Sequence, residues 1–466
     1  MWKNTTVMRD ESGEIYYKSD YQTVKQRKEY GRSIRETVPR ESHSQLEPLP
    51  DRRNPIDLLE ESNQGRLPHL IPIRFYRMLQ SPFTFYRGAA SIMAYDLSHT
   101  PRSDIIVQAC GDCHLSNFGL FATPERNLIF DLNDFDETHP ASFEWDLKRL
   151  AASFYIACKT KKFSEKECKQ IVATNVAMYR EAIQSFSTMK ILDIWNLRIR
   201  IEDMIAAADN KSIRRKREKM AEKARKKVVE YVFPKITEYV NGRWKIIDQQ
   251  PIIYHPTYVE GMSNGILDMF GKYVKSLNDD RQFFLDRYRI EDIVTRVVGV
   301  GSVGTRCGVI LLIGENEGPL FIQIKEGRQS VLEPYTSPNK YTHHGERIVQ
   351  GQRHMQSASD AFLGWTTDME GIQYYLRQYR DMKYSWDVDL MGYEEMINYA
   401  EGCGWTLARA HARAGDAAKI AGYIGKSDLF DEAITSFAKK YERQNYHDYL
   451  ELVNAEKTGL ITIEEG

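Results

Sequence analysis

Two short apolar runs between Asp104 and Leu150 each end in a group of polar residues. The first run leads into GDCHLSN at 111–117, and the second leads into NDFDE at 133–137. Hard cations take oxygen ligands, and Mg²⁺ is usually held by one or two carboxylates together with phosphates of a substrate. Strands that bring carboxylates and an amide to one edge therefore predict a site for Mg²⁺ and a phosphorylated ligand.

The spacing within these two groups predicts separate roles for their polar side chains. Asp112 and Asn117 form D-x-x-x-x-N, which resembles the catalytic loop of kinases, where one loop offers a carboxylate to a hydroxyl group and an amide oxygen to a metal. Asp134 is the main metal carboxylate that we expect, with Asp136 and Asp131 as secondary candidates. Clustered Asp and Asn also make turns, but unpaired like charges so close would repel one another. We therefore predict metal ligands at Asn117, Asp134 and Asp136.

Composition excludes several classes of protein. The chain has 466 residues, of which 42% are hydrophobic and 28% charged, with a formal net charge of −1. This length suits two or three domains or one two-lobed enzyme. The balanced charge gives no general attraction to nucleic acid or membrane, no apolar run approaches the roughly 20 residues of a spanning helix, and the start has no apolar signal segment. We expect a cytoplasmic protein that binds no membrane, and nucleic acid is not an expected partner.

Six cysteines do not make a disulfide framework in a chain of this length. Cys110 and Cys113 form C-x-x-C beside His114, which leaves a redox or zinc role open. Because no second C-x-x-C completes a zinc site, the favoured interpretation is that these are buried thiols near the site.

Composition and periodicity divide the chain into five segments. Residues 1–50 are polar and predict an arm without its own core. Residues 51–202 hold the two loops and helices of a large lobe. Residues 203–285 predict a charged helical insert, whose basic run is more typical of a solvated helix face than of a nucleic-acid site. Residues 286–382 read as strands of a small lobe, and residues 383–466 as the helical remainder of the large lobe.

A glycine-rich turn, GVGSVG, lies at residues 299–304. A dinucleotide-binding fingerprint needs a helix directly after the glycines. Here a β-branched run, TRCGVILLIG, follows, so the turn opens a hairpin, as in the loop that covers nucleotide phosphates in kinases. A glycine-rich turn without a ligand is the alternative. The residues predicted to lie at the nucleotide are Gly299, Gly301, Ser302 and Gly304.

Lys325 ends the apolar run LFIQIK in the strand after this hairpin. Such a position is costly for a lysine unless its charge is used, and kinases place a lysine there to hold the α- and β-phosphates. The alternative is a lysine whose amine reaches solvent at the strand end. We expect an ion-pair partner on the following helix, with Glu346 preferred and Glu333 as the second choice.

Together these segments resemble the protein-kinase-like superfamily, in particular its aminoglycoside and choline phosphotransferase branch. There the catalytic loop reads H-G-D-x-H-x-x-N and the metal strand ends in I-D-F-D-D, against CGDCHLSN at 110–117 and NDFDE at 133–137 here. The chain departs from the pattern at Cys110, which replaces the His, and at Asp136, which replaces the Gly of D-F-G. The resemblance therefore implies a small-molecule or atypical kinase rather than a protein-serine kinase.

The order of the segments is the reverse of that in kinases, because the catalytic loop precedes the glycine-rich hairpin. This order implies a circular permutation, which is tolerated where chain termini lie close together. The resemblance thus implies an α+β, two-lobed protein-kinase-like fold, circularly permuted, with a small β-rich nucleotide lobe and a large helical lobe.

Across nearly the whole chain the sequence is also identified as a member of a bacterial family known only as domain of unknown function 2252. The segments that carry this resemblance include SPFTFYRGAA at 81–90, VVGVGSVGTR at 297–306 and GQRHMQ at 351–356. The family name implies no activity.

The kinase-like resemblance implies an ATP- and Mg²⁺-dependent phosphotransferase that acts on an unidentified hydroxyl acceptor, either a small molecule or a protein. Asp112 would orient or deprotonate that hydroxyl, and Lys325 would hold the α- and β-phosphates. Asn117 and Asp134 would bind Mg²⁺. Two alternatives keep the nucleotide: a kinase-like enzyme that transfers AMP, and a non-catalytic nucleotide-binding regulatory protein.

Overall fold

The computed structural model describes residues 5–9, 14–19, 22–46, 50–208, 210–256, 262–297, 299–379 and 382–465. Within these ranges the chain is an α+β fold, as the sequence predicts. The predicted arm lies partly outside the described residues. So do residues 209 and 257–261 of the predicted insert and residues 298 and 380–381 of the predicted small lobe.

The described strands and helices are numbered along the chain. The strands are β1 (Thr5–Arg9), β2 (Ile15–Ser19), β3 (Ile106–Ala109), β4 (Phe118–Ala122), β5 (Leu128–Leu132), β6 (His139–Ser142), β7 (Ile199–Arg200), β8 (Thr237–Val240), β9 (Arg243–Ile246), β10 (Ile253–Tyr254), β11 (Tyr288–Arg296), β12 (Cys307–Gly314), β13 (Pro319–Glu326), β14 (Gly364–Thr367), β15 (Gln373–Gln378) and β16 (Tyr384–Ser385). The helices are α1 (Val24–Ser33), α2 (Pro55–Asn63), α3 (Ile71–Leu79), α4 (Pro82–Gly88), α5 (Ala90–Ser98), α6 (Phe143–Thr160), α7 (Glu165–Phe186), α8 (Ile191–Asn196), α9 (Ile201–Ala206), α10 (Lys211–Arg225), α11 (Val229–Ile236), α12 (Met262–Lys275), α13 (Asp279–Leu285), α14 (His344–Met355), α15 (Tyr393–Ala414), α16 (Ala417–Ile424) and α17 (Leu429–Lys457).

The largest sheet is antiparallel and has the strand order β10-β11-β12-β13-β15-β14. The glycine-rich turn joins β11 to β12, which confirms that it belongs to a hairpin and does not open a helix. A second tight turn at residues 315–318 leads into β13, which carries Lys325. The helix α14 follows β13 in the chain and packs against β14 and β15.

Both faces of this sheet are covered, which explains why β12 is apolar throughout. Ile310 and Leu312 pack with α12 and α13 on one face, whereas Val309 and Leu311 pack towards α11 and β9 on the other. These covering elements come from residues 203–285. The predicted insert is therefore not only helical: it contributes β8, β9 and β10, and its helices bury the sheet.

A layer of long helices packs beside the smaller sheets. α15 lies along α7, and α17 packs on both α6 and α7. Gly404 of α15 touches the backbone of α7, because a Cβ there would overlap the carbonyl oxygen of Asn175. The described part of the predicted arm packs on the same layer, where Arg35 Nε donates to Tyr423 O at 2.8 Å.

Two nested strand pairs bring the two predicted loops together. β3 pairs with β6, and β4 pairs with β5, all antiparallel. The loop at 110–117 connects β3 to β4, and the loop at 133–138 connects β5 to β6. Because the outer strands pair with each other, the two loops emerge at the same end, and Asn133 N donates to Asn117 O at 2.8 Å.

A buried ion pair ties β5 to the helical layer. The side chains of Asp131 and Arg409 are 0% and 1% exposed. Asp131 also accepts hydrogen bonds from Ser357 N at 2.8 Å and Ser357 Oγ at 2.6 Å. Because these protein groups occupy its carboxylate away from the loops, the prediction of Asp131 as a secondary metal ligand is wrong.

Breaking this pair is expected to destabilise the fold strongly. Arg409→Met leaves a buried, unpartnered charge on Asp131, and we expect a loss of about 3–5 kcal/mol in the free energy of unfolding. Urea denaturation measures this loss. Arg287→Met removes an exposed partner of Glu315 and should cost less than about 1 kcal/mol. The double variant Asp131→Asn/Arg409→Met should lose less than Arg409→Met alone, and an equal or larger loss would contradict this interpretation.

Candidate functional site

Asp146, in the first turn of α6, binds the backbone of the loop at 110–117. Its carboxylate accepts hydrogen bonds from Cys110 N at 2.6 Å and Gly111 N at 2.9 Å. His411 Nε2 of α15 lies 3.2 Å from the same carboxylate. Sequence reasoning assigned no role to Asp146. The sequence signal is Asp146-Leu147, which stands at a distance that matches the D-L-A motif after the metal aspartate in the phosphotransferase branch.

Gly111 brings the two loops into backbone contact. Its φ of +86° lies in the left-handed region, and a Cβ there would overlap the carbonyl oxygen of Glu137. Only glycine meets both conditions without strain.

Asp112 points into a cleft and is oriented by Arg149. Arg149 Nε donates to Asp112 Oδ1 at 2.6 Å, while its guanidinium lies 4.4 Å above the Tyr86 ring. His114 Nε2 is 3.8 Å from Asp112 Oδ2. Burial lowers the pKa of His114 to about 4, so this imidazole is neutral near pH 7 and does not neutralise Asp112.

Asn117 and Asp134 face the same cleft. Asn117 Nδ2 donates to Asp112 O at 2.6 Å, which leaves Oδ1 as the oxygen that can meet a cation. The Asp134 side chain is 39% exposed. Burial opposes its ionisation, but the charges of Lys325, Arg377 and Lys383 outweigh burial and lower the pKa of Asp134.

Lys325 is buried beside the two aspartates. Its Nζ donates to Asp136 Oδ2 at 2.5 Å and lies 3.8 Å from Asp134 Oδ1. Tyr375 Oη donates to Asp136 Oδ1 at 2.6 Å. Both oxygens of Asp136 are therefore engaged by protein groups, which leaves Asp134 as the more accessible carboxylate for a ligand.

The predicted pairing of Lys325 with Glu346 is wrong, and so is the second choice, Glu333. Among the described residues, the ion pairs of Lys325 are with Asp134 and Asp136. Arg347, the residue after Glu346 in α14, faces the loop at 133–138. It donates to Asp136 O at 2.9 Å and to the carbonyl oxygen of Thr138, and also to Arg328 O at 2.6 Å. Successive helix residues are about 100° apart, so Glu346 is turned away.

The glycine-rich turn is bonded to the segment before α4. Leu67 N donates to Gly304 O at 2.8 Å, and Arg66 Nη1 donates to Val303 O at 2.5 Å. Arg77 Nη1 of α3 donates to Gly299 O at 2.8 Å. The turn is thereby held across the cleft from the two loops.

These elements enclose one cleft of about 460 Å³. The predicted site residues that line it are Asp112, Asn117, Asp134, Asp136, Gly299, Gly301 and Ser302. Lys325 is buried behind Asp136, while Gly304 and Glu346 are not among the lining residues. Four arginines also line the cleft, and one of them is Arg87. The other three are Arg66, Arg74 and Arg328.

The cysteines are structural neighbours of the site. All six are buried and free of disulfides, which confirms the favoured interpretation. Cys110 Sγ donates to Asp134 O at 3.2 Å. Among the described residues, no group of three or more His, Cys, Asp or Glu side chains is arranged to hold a metal by itself. The described residues therefore form no zinc site. Asp134 and Asn117 are instead ligand types that suit a cation which also takes phosphate oxygens.

The fold and the cleft define an α+β protein with a polar site between a glycine-rich hairpin and two carboxylate-bearing loops. The chain belongs to the family of uncharacterized proteins conserved in bacteria, DUF2252, whose model matches residues 66–455. No curated protein and no solved structure matches it. In the part of the chain that the structure describes, none of the helices is both long and apolar enough to cross a membrane.

Replacing Gly111 should disturb the contact between the loops. Gly371 is a matched control, since its φ is +84° but a Cβ there would meet nothing within 4 Å. Gly111→Ala and Gly371→Ala share a backbone cost of about 1–2 kcal/mol. We expect Gly111→Ala to lose a further ~1–3 kcal/mol of unfolding free energy from the overlap with Glu137, measured by thermal and urea denaturation. Equal losses in the two variants would contradict the close approach.

Proposed function

We propose that the protein is an ATP- and Mg²⁺-dependent phosphotransferase that acts on a hydroxyl acceptor. The observation that carries the proposal is the convergence of Asp112, Asn117 and Asp134 on one cleft beneath the glycine-rich turn, with Lys325 beside Asp134. These four side chains are the types that kinases use to position the acceptor, the metal and the phosphates.

The order of elements in the large sheet supports a kinase-like small lobe. A glycine-rich turn joins β11 to β12, a lysine lies on the next strand, β13, and a helix, α14, follows before β14 and β15. Kinases place their glycine-rich loop, lysine and following helix in the same succession. Since the two loops precede this sheet in the chain, we propose a circularly permuted form of that fold.

The donor set in the cleft fits Mg²⁺. Mg²⁺ is bound by one or two protein oxygen ligands and keeps waters and substrate phosphates as the others. Asp134 and Asn117 would supply these oxygens, because both line the cleft. Asp136 would act mainly by holding Lys325, to which it is bonded. When bound, Mg²⁺ would neutralise charge on the transferred phosphate.

The remaining residues would place the acceptor. Asp112 would accept a hydrogen bond from the acceptor hydroxyl and take its proton as the acceptor oxygen bonds to the γ-phosphorus of ATP. The bond from that phosphorus to the bridging oxygen would break, and ADP would leave. Arg149 would fix the direction of this carboxylate through its bond to Oδ1. Because His114 is neutral near pH 7, it adds no positive charge that would weaken Asp112 as a base.

Two other functions would use the same cleft. A kinase-like enzyme that transfers AMP would need the same lysine and metal ligands. A non-catalytic nucleotide-binding regulatory protein would need binding alone. Reaction products distinguish these functions from phosphate transfer.

The first test is nucleotide binding. We expect Mg²⁺-ATP to bind the full chain in calorimetry and Asp134→Asn to weaken it at least tenfold, since a metal carboxylate is lost. Asp134→Asn is preferred to a change at Lys325, whose removal would leave Asp136 buried without its partner. Asp268→Asn, which alters an exposed aspartate paired with Lys272, is the control and should bind as the wild type does. Equal affinities in all three proteins would contradict the proposal.

The second test is the product formed. With ATP labelled at the α-phosphate, a phosphotransferase releases labelled ADP, and we expect Asp112→Asn to lower this rate by about 10²–10⁴ while Mg²⁺-ATP still binds. Labelled AMP joined to protein or acceptor, with release of pyrophosphate, would instead support AMP transfer. Binding with neither product would support a regulatory protein.

A further inference from the structure

Four arginines gather on one wall of the cleft, facing the glycine-rich turn. Arg66 Nε donates to Ser62 O at 3.0 Å and its Nη1 donates to Val303 O. Arg74 Nη2 donates to Gly88 O at 2.9 Å, and Arg74 also donates to the side-chain oxygen of Asn63. These acceptors are neutral, so they orient both guanidinium groups without compensating their charge.

Arg328 has the same kind of partners. It donates to Ser62 O at 3.2 Å and to the carbonyl oxygen of Gln64. The nearest carboxylate, Glu326, lies 3.9 Å from Arg328 Nε, but Glu326 is already bonded to Arg306 at 3.2 Å. Among the described residues, Glu326 is therefore the only carboxylate near Arg328, and Arg328 shares it with Arg306.

Arg74 and Arg87 each have a buried Nε without a hydrogen-bond partner. Arg87 lies in the last turn of α4, which begins at Pro82 with Ser81 as its N-cap. A Cβ on Gly301 would lie 3.2 Å from Arg87 O, so the glycine-rich turn packs directly on this residue.

Three arginines of the wall have no carboxylate in direct contact among the described residues. Among the described residues, Arg66, Arg74 and Arg87 form no ion pair with a carboxylate within 4.0 Å. By contrast, Arg149 is paired with Asp112, and Arg347 donates to the backbone oxygen of Asp136. Burial lowers the pKa of Arg66, and the charges of Arg74 and Arg328 lower it further. A cation held in an enclosed cleft without a carboxylate partner is unfavourable, and a bound anion would offset this.

We propose that Arg66, Arg87 and Arg328 form a subsite for a phosphate-type oxyanion, next to Asp112 and apart from the Lys325–Asp136 pair. The inference rests on the proposed function for the identity of its ligand: the oxyanion is either the terminal phosphate of the nucleotide or an anionic group on the acceptor. Guanidinium groups suit this ligand because their donors match the geometry of phosphate oxygens. The subsite deepens the proposal by assigning a phosphorylated or similarly charged reactant to this wall.

Pyrophosphate in the presence of EDTA tests the subsite without metal or nucleotide. We expect it to bind the full chain in calorimetry, with an affinity that falls as KCl is raised. Arg87→Gln should weaken binding at least tenfold, because it removes a guanidinium with an unpartnered Nε. Arg87→Lys keeps a positive charge without the guanidinium, so its affinity for pyrophosphate should lie between those of the wild type and Arg87→Gln. Arg287→Gln, at an exposed pair on the far hairpin, is the control and should bind as the wild type does.

Arg87 is a suitable position because its side chain makes no described hydrogen bond that the variant would break, and an unchanged melting temperature checks the fold. The subsite is overturned if pyrophosphate does not bind, or if Arg87→Gln binds it as tightly as Arg287→Gln. If the protein binds pyrophosphate but not Mg²⁺-ATP, the phosphotransferase proposal is contradicted and the oxyanion subsite is supported. If it binds Mg²⁺-ATP but not pyrophosphate, the oxyanion subsite is contradicted and the phosphotransferase proposal is supported.

Two further titrations identify the source of the oxyanion. If the wall holds the nucleotide, Arg87→Gln weakens ATP binding and leaves AMP binding unchanged. If it holds the acceptor, Arg87→Gln leaves Mg²⁺-ATP affinity unchanged, and pyrophosphate still binds the protein saturated with Mg²⁺-ATP. Either result supports an oxyanion subsite, whereas Arg87→Gln without effect in every titration excludes it.

Discussion

The hydrogen bonds from Cys110 N and Gly111 N to the Asp146 carboxylate hold the site together. A backbone loop that carries Asp112 and Asn117 cannot position them unless its own amides are bonded, since unpaired buried amides are costly. Asp146 supplies these bonds from the first turn of α6, and His411 of α15 contacts the same carboxylate. Two long helices distant in sequence thus meet under one loop, and the positions of the cleft side chains depend on that meeting.

The charges of the cleft are arranged in two separate groups. On one side Lys325 lies between Asp134 and Asp136, so one amine serves two carboxylates. On the other side the arginines bond to backbone oxygens. The two carboxylates thus lie in the first group, and the second group consists of cations. In the proposed function, the carboxylate group would take the metal and the arginine group the oxyanion.

The local parts of the fold could be predicted from sequence, whereas the contacts between distant segments could not. The hairpin at the glycine-rich turn and the paired loops follow from short-range signals: β-branched runs, glycines and clustered Asp and Asn. The pairing of Lys325 could not be predicted in this way. The rotation of α14 depends on packing, and it presents Arg347 rather than Glu346 to the loop. Arg66 and Arg328 come together only through tertiary structure, and neither stands in a motif.

The hydrogen bonds of the glycine-rich turn have a mechanical consequence. Gly299, Val303 and Gly304 each accept a hydrogen bond from residues 66–77, so one end of the turn is bonded to α3 and the other to the segment before it. Raising the turn requires either breaking these three bonds or moving α3 with it. In the proposed function, a ligand that needs the turn to rise would therefore have to enter together with a local movement of α3, which lies outside the sheet. The turn is therefore a cover whose movement is coupled to that of α3.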